Sequence, residues 1–267
     1  MVRRMVDGIS VEQSATMASN VSQIAVQNIG MQPQEACQLA LNLFMDNFPK
    51  LQQIAEETAQ KRVEEFCRTV INKLQHANVK DYSPFTDPDV QYSLLDAQKN
   101  YARFGTNEML DTLTNLVAHR VTSADDFILK VTIDKAISVA SMLTPAQLDF
   151  LTLLFLCTRV KHTYIHTLED LEAYLLRMCK VFPTTKNYST IIYLAMHGCV
   201  QIALPRPVET LAKTYGFSKE DVERICPQQV KDLRSDYGVS PVGIILAITN
   251  AEQKTSFVFD PHIWIHE

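Results

Sequence analysis

Arg159, His162 and His166 fall within the single run Arg-Val-Lys-His-Thr-Tyr-Ile-His. An arginine can stabilise developing phosphoryl charge and a histidine can move a proton, so Arg159 and His166 are the pair best suited to catalysis. His162 and His166 are four residues apart. On a helix both would lie on one face, as metal ligands do. Neither an HExxH motif nor a neighbouring Cys pair accompanies them, so no metal is expected. A Gly-rich phosphate loop, a GxSxG elbow and triad spacing are all missing from the sequence, and no cofactor is expected.

These residues follow a stretch that must position them. Thr144 has the character of an N-cap, Pro145 of a first helical residue and Gln147 of the third. The Thr hydroxyl and Gln amide can each satisfy a backbone N–H that lacks a helical partner. Leu148, Phe150, Leu151, Leu153, Leu154, Phe155, Leu156 and Cys157 then cover nearly every helical direction. A helix apolar all round is enclosed by other elements or by lipid. Asp149, Thr152, Thr158 and Arg159 interrupt it too soon for a membrane span, which needs about 20 apolar residues. It is expected to run over residues 145–161 as the central helix of a helical body. Arg159 and the histidines would then sit at its C-terminal end, where cations meet the helix dipole favourably.

Composition bounds the function classes. The formal net charge of −5 gives nucleic-acid binding no electrostatic support. A hydrophobic content of 46% with 21% charged residues is that of a packed globular chain. Seven glycines and eleven prolines are too few for a loop-rich β-sandwich. The cysteines Cys37, Cys67, Cys157, Cys179, Cys199 and Cys226 are scattered without a CxxC pair. They point to small hydrophobic roles in a reducing, cytoplasmic compartment. No apolar run follows Arg3 and Arg4, so no secretory signal is expected.

The fold class expected is all-α: a multi-helix bundle with a long N-terminal helix and minor extended or β segments at both termini. Residues 1–30 read as an extended or flexible segment, 31–80 as a helical arm and 81–267 as the helical body. In the first segment, Val21, Ile24, Val26 and Ile29 could form a strand edge that recruits a second chain. From Pro33 a first helix carries Leu39, Leu43 and Phe44, and residues 46–49 interrupt it. A second helix, over residues 49–77 and about 43 Å long, buries Leu51, Val63, Phe66 and Val70 along one face. That face could pair with another chain. Further helices are capped by Thr86 or Asp87, Thr106, Ser123 and Thr167. Residues 188–202 read as a helix broken near Gly198, and residues 208–215, 218–225 and 228–237 as short helices. Ser240 and Pro241 start a last helix. Phe257, Phe259, Ile263 and Ile265 alternate as a terminal strand or an extended closing segment would, with Trp264 as a core contact. No period of 20–50 residues marks a solenoid.

Three stretches carry resemblances: residues 43–51 (LFMDNFPKL), residues 87–103 (DPDVQYSLLDAQKNYAR), and residues 240–247 (SPVGIILA) with the ending 259–265 (FDPHIWI). Together they resemble a bacterial family known by locus-tag names. The order of a leucine-rich helix, a Pro-Val-Gly helix and a terminal strand is similar to alpha-type abortive-infection proteins of phage defence. Residues 20–29 are similar to short segments at the front of defence-linked proteins. Arg159 with His166 resembles the Arg-x6-His signature of HEPN-type ribonucleases, with Val160 where those enzymes usually carry a polar residue. These likenesses imply a defence setting. The function expected is a non-enzymatic, self-associating interaction protein, a homo-oligomer open to a protein partner. The alternative is a ribonuclease using Arg159 and His166.

Overall fold

The computed structural model describes residues 33–123, 126–184, 188–202, 206–233 and 237–265. In chain order the elements are α1 (Pro33–His76), a 3-10 turn (Ser83–Thr86), α2 (Pro88–Phe104), α3 (Asn107–Thr122), α4 (Phe127–Ala140), α5 (Pro145–Thr158), α6 (Leu168–Val181), α7 (Tyr188–Met196), β1 (Val200–Ile202), α8 (Pro207–Tyr215), α9 (Lys219–Ile225), α10 (Gln228–Asp232), β2 (Tyr237–Val239), α11 (Pro241–Lys254) and α12 (Pro261–Ile265). The fold is all-α. Among the described residues its one sheet is the antiparallel pair β1–β2, with Val200 opposite Val239 and Ile202 opposite Tyr237. The chain divides into two units, residues 1–57 and 58–267, and the boundary falls inside α1.

The second unit is built around α5 and α11, which share its most extensive helix–helix contact. Residues 148–157 of α5 are buried without a gap, as are residues 243–251 of α11. Each fully buried Leu, Ile or Phe contributes on the order of 1.5–3 kcal/mol against exposure, so this pair dominates the core. Local sequence fixes where α5 begins. Thr144 Oγ1 accepts from the Gln147 N–H and Gln147 Oε1 accepts from the Thr144 N–H at 2.8 Å, which closes the capping box. α11 begins at Ser240, whose hydroxyl accepts from the Gly243 N–H and donates to the Gly198 carbonyl at 2.6 Å. Gly243 is required by a close approach: a Cβ there would lie 2.0 Å from the Cys199 carbonyl oxygen.

The C-terminal part of α1 belongs to this body. Phe66, Val70 and Leu74 enter its core at four-residue spacing. Arg62 donates to the Ala102 carbonyl at 2.7 Å, the Tyr101 hydroxyl donates to Glu65 at 2.7 Å, and Lys73 donates to Asn115 at 2.6 Å. Gly105 ends α2 in the left-handed region at φ 63°, and a Cβ there would strike the Arg62 guanidinium at 2.2 Å.

Several expected elements differ. α1 is continuous through Pro49, with no break at residues 46–49. A proline in a helix interior forfeits one hydrogen bond and crowds the preceding turn, and α1 accommodates it between strongly helical flanks. The N-cap of α4 is Asp126, which accepts from the Leu129 N–H at 3.0 Å, while Ser123 is the C-cap of α3. After Gly198, at φ 71°, the chain forms β1 instead of more helix. The C-terminal β segment is corrected most clearly. Residues 257–260 are neither helix nor strand and join no sheet among the described residues, and Pro261–Ile265 is helical. The proposed strand at residues 21–29 lies outside the described residues.

Among the described residues, no helix is long and apolar enough to cross a membrane. All six cysteines are free thiols. Burial raises the thiol pKa of Cys179 to about 11, of Cys199 to about 11 and of Cys226 to about 12, and holds Cys157 well above the ordinary thiol value. These four are therefore un-ionised core side chains at neutral pH and not nucleophiles.

Candidate functional site

The run from Arg159 to His166 forms the connection between α5 and α6. Arg159 is the C-cap of α5, its backbone N–H donating to the Phe155 carbonyl at 2.8 Å. Residues 160–167 are not helical. Buried Val160 and Ile165 pin the connection to the core, while Arg159, Lys161 and His166 are exposed. The backbone N–H groups of His166 and Thr167 both donate to Asp170 Oδ2, at 3.0 and 2.9 Å. Arg159 and His166 are thus fixed at opposite ends of the connection by different helices. Because no helix links His162 to His166, the one-face arrangement of a metal pair does not arise. Among the described residues no group of three or more His, Cys, Asp or Glu is placed to hold a metal ion.

His162 is half-buried among aromatic rings instead. Its Nε2 is 3.0 Å from the Tyr174 hydroxyl, and its backbone N–H donates to the Tyr215 hydroxyl at 3.0 Å. The rings of Tyr174, Tyr164 and Phe257 lie 4.6, 5.1 and 5.2 Å from the imidazole. Burial lowers the His162 pKa, and the positive charge of Arg177 lowers it further. Burial likewise raises the pKa of Tyr174 well above that of an ordinary phenol, and raises that of Tyr215. The cluster is therefore neutral near pH 7 and holds α5, α6, α8 and the C-terminal segment together.

This arrangement gives a pH dependence of known sign. The folded chain resists protonating His162, whereas the unfolded chain takes the proton near the ordinary imidazole value of 6.5. The unfolded state then binds more protons, so stability is lost as pH falls below about 6.5 toward the depressed folded value. The thermal midpoint should drop between pH 7.5 and 5. His162→Gln should flatten that slope, and equal slopes in the two proteins would exclude His162 as a source.

A different surface stands out on α1. Leu39, Leu41, Leu43, Phe44, Met45, Phe48, Leu51 and Ile54 are all large, apolar and 46–64% exposed. The Phe44 and Phe48 rings lie against each other with centroids 5.4 Å apart. The polar side of the same helix is laced by i to i+4 pairs, Gln38 to Asn42 and Gln53 to Glu57. Scattered exposed apolar residues are normal, but a contiguous set of this size marks an interaction surface.

The expected pairing residues distribute unevenly. Leu51 lies on this exposed face and Val63 is half-buried. Phe66 and Val70, at 0 and 1% exposure, fill the core of the chain's own body, so they are not available to another chain. The three-to-four spacing that drew attention to them is satisfied within the chain. Val21, Ile24, Val26 and Ile29 lie outside the described residues. Leu41, Met45 and Phe48 escaped notice because the supposed break at Pro49 separated Phe44 from Leu51, which one helix carries together.

Two buried polar clusters were also missed. Arg120 is 1% exposed and forks between Asp89 and Asp134, with the Ser93 hydroxyl also donating to Asp134. Asp149, at the heart of α5, accepts from Asn250 at 3.0 Å and from Lys254, and Asn250 also donates to Thr152 at 2.8 Å. The first joins the consecutive helices α2, α3 and α4, the second joins α5 to the distant α11, and both serve packing.

A protein-family model described as “:-like” matches residues 30–237. No curated protein and no solved structure matches the chain.

Proposed function

The chain belongs to the family described as “:-like”, and we propose that it is a non-enzymatic interaction protein that assembles with copies of itself. The observation that carries this reading is the exposed apolar surface of residues 39–54, eight large side chains spread around about two thirds of a single helix. Leaving such a face in water forfeits the burial free energy that drives association. The half-buried His162 has its Nε2 against the Tyr174 hydroxyl and its ring among those of Tyr164, Tyr174 and Phe257, which supports a structural contact.

The setting we propose is phage defence, and a partner protein or an infection signal would act by changing the assembly state. That setting rests on the likeness to abortive-infection proteins, of which α5 and α11 supply the leucine-rich and Pro-Val-Gly helices. The closing segment departs from that likeness in being helical.

The test is to charge the face within the full chain. Phe44→Asp with Phe48→Asp should reduce the native mass to that of a single 30.3 kDa chain, with the thermal midpoint of the body nearly unchanged. A double variant with the native mass of the wild type would rule out this face.

A further inference from the structure

The apolar face of α1 contains a narrower, ordered pattern. Cys37, Leu41, Phe44, Phe48, Leu51 and Ala55 recur at alternating steps of four and three. That 3.5-residue repeat is the seam of two helices wound around each other. Every one of these residues is exposed.

The pattern is also symmetric. Phe44 and Phe48 lie two residues to either side of Asp46, Leu41 and Leu51 five, and Cys37 and Ala55 nine. Residue size follows the same order, small, Leu, Phe, Phe, Leu, small. At 3.6 residues per turn Asp46 itself projects from the opposite side of the helix. A two-fold axis through this point therefore brings no carboxylates together.

We propose that the occupant of this face is a second copy of the chain, packed antiparallel about Asp46. This inference rests on the self-association reading above and specifies its geometry. In an isologous pair, residue i meets residue j and j meets i. The layers are then Phe44 on the partner's Phe48, Leu41 on the partner's Leu51, and Cys37 on the partner's Ala55. Each bulky layer meets its equal and each small residue meets a small one. The seam carries no charge, so two copies meet without like-charge repulsion. The overlap spans residues 33–59, nearly all of it within the first unit.

The area of the seam fits a dimer that dissociates on dilution. Each half-exposed large side chain leaves on the order of 100 Å² accessible. The four large side chains of the seam, Leu41, Phe44, Phe48 and Leu51, therefore offer roughly 400 Å² per copy, the size of a weak, concentration-dependent pairing at the low end of specific interfaces.

Cysteine cross-linking tests the orientation. Mild oxidation of Ala55→Cys should give a covalent dimer, because Cys37 of each copy faces position 55 of the other. The link should vanish when Cys37→Ser is added, and the wild type should not link. Covalent dimers of the wild type, or of Cys37→Ser with Ala55→Cys, would mean like positions meet and would overturn the antiparallel arrangement. A dimeric mass by light scattering with no link in any variant would overturn this geometry and leave self-association standing. A single-chain mass would remove both.

Discussion

Asp149→Ala is expected to cost about 3 kcal/mol of stability, the lower end of the cost of breaking a buried pair from one side. Asp149 is 4% exposed and lies where α5 crosses α11, the densest contact of the body. Its carboxylate accepts from both Asn250 and Lys254. Removing it leaves the buried Asn250 amide with only Thr152 to receive its protons, and a buried donor without an acceptor costs its full desolvation. Lys254, partly exposed, can turn toward water, which keeps the cost below the upper limit. Asp149→Asn retains a hydrogen-bonding group of the same shape and should cost less. Urea unfolding at constant slope reads the difference. A loss for Asp149→Ala under about 1 kcal/mol would show that the network contributes little.

Arg120→Ala should be comparably damaging, at about 3–4 kcal/mol. Arg120 is among the largest fully buried side chains, and it ties α3 to the first turn of α2 through Asp89 and to α4 through Asp134. Truncation opens a cavity and leaves two carboxylates facing each other without their cation. Asp89 is exposed and can rehydrate, so most of the cost comes from Asp134 and the lost packing. Arg120→Met, which restores apolar volume but no charge, should recover part of the loss. Full recovery would assign the whole effect to packing.

What could be read from the sequence was mostly local. The caps at Asp87, Thr106, Thr144, Thr167 and Ser240 depend on a side chain reaching a backbone N–H a few residues away, and each forms as its residues require. The enclosure of α5 follows from apolar residues on all its sides. The C-terminal segment shows the limit of such reading. Its alternation is real, since Phe257 packs on His162, Phe259 packs on Phe155, and Val258 between them is 90% exposed. Alternation signals an extended chain, but whether a strand lies beside it depends on distant residues. The partners of Arg120 lie 14 and 31 residues away, on the two neighbouring helices, and those of Asp149 lie farther still. Asn250 lies 101 residues from Asp149, and nothing near either residue announces the pair. Pro49 misled in the other direction, because a helix-breaking tendency was overridden by flanks on both sides.

The site was half legible. Leu51 belongs to the exposed face, while Phe66 and Val70, on the same apolar spacing, belong to the body. Spacing alone cannot tell a stripe that packs on its own chain from one that waits for another. Exposure in the folded chain makes that distinction.

Self-association is most directly tested by light scattering of the intact chain over a range of concentrations. Pairing through residues 37–55 requires a mass of two chains that falls toward 30.3 kDa on dilution. A mass of 30.3 kDa at every concentration would contradict it.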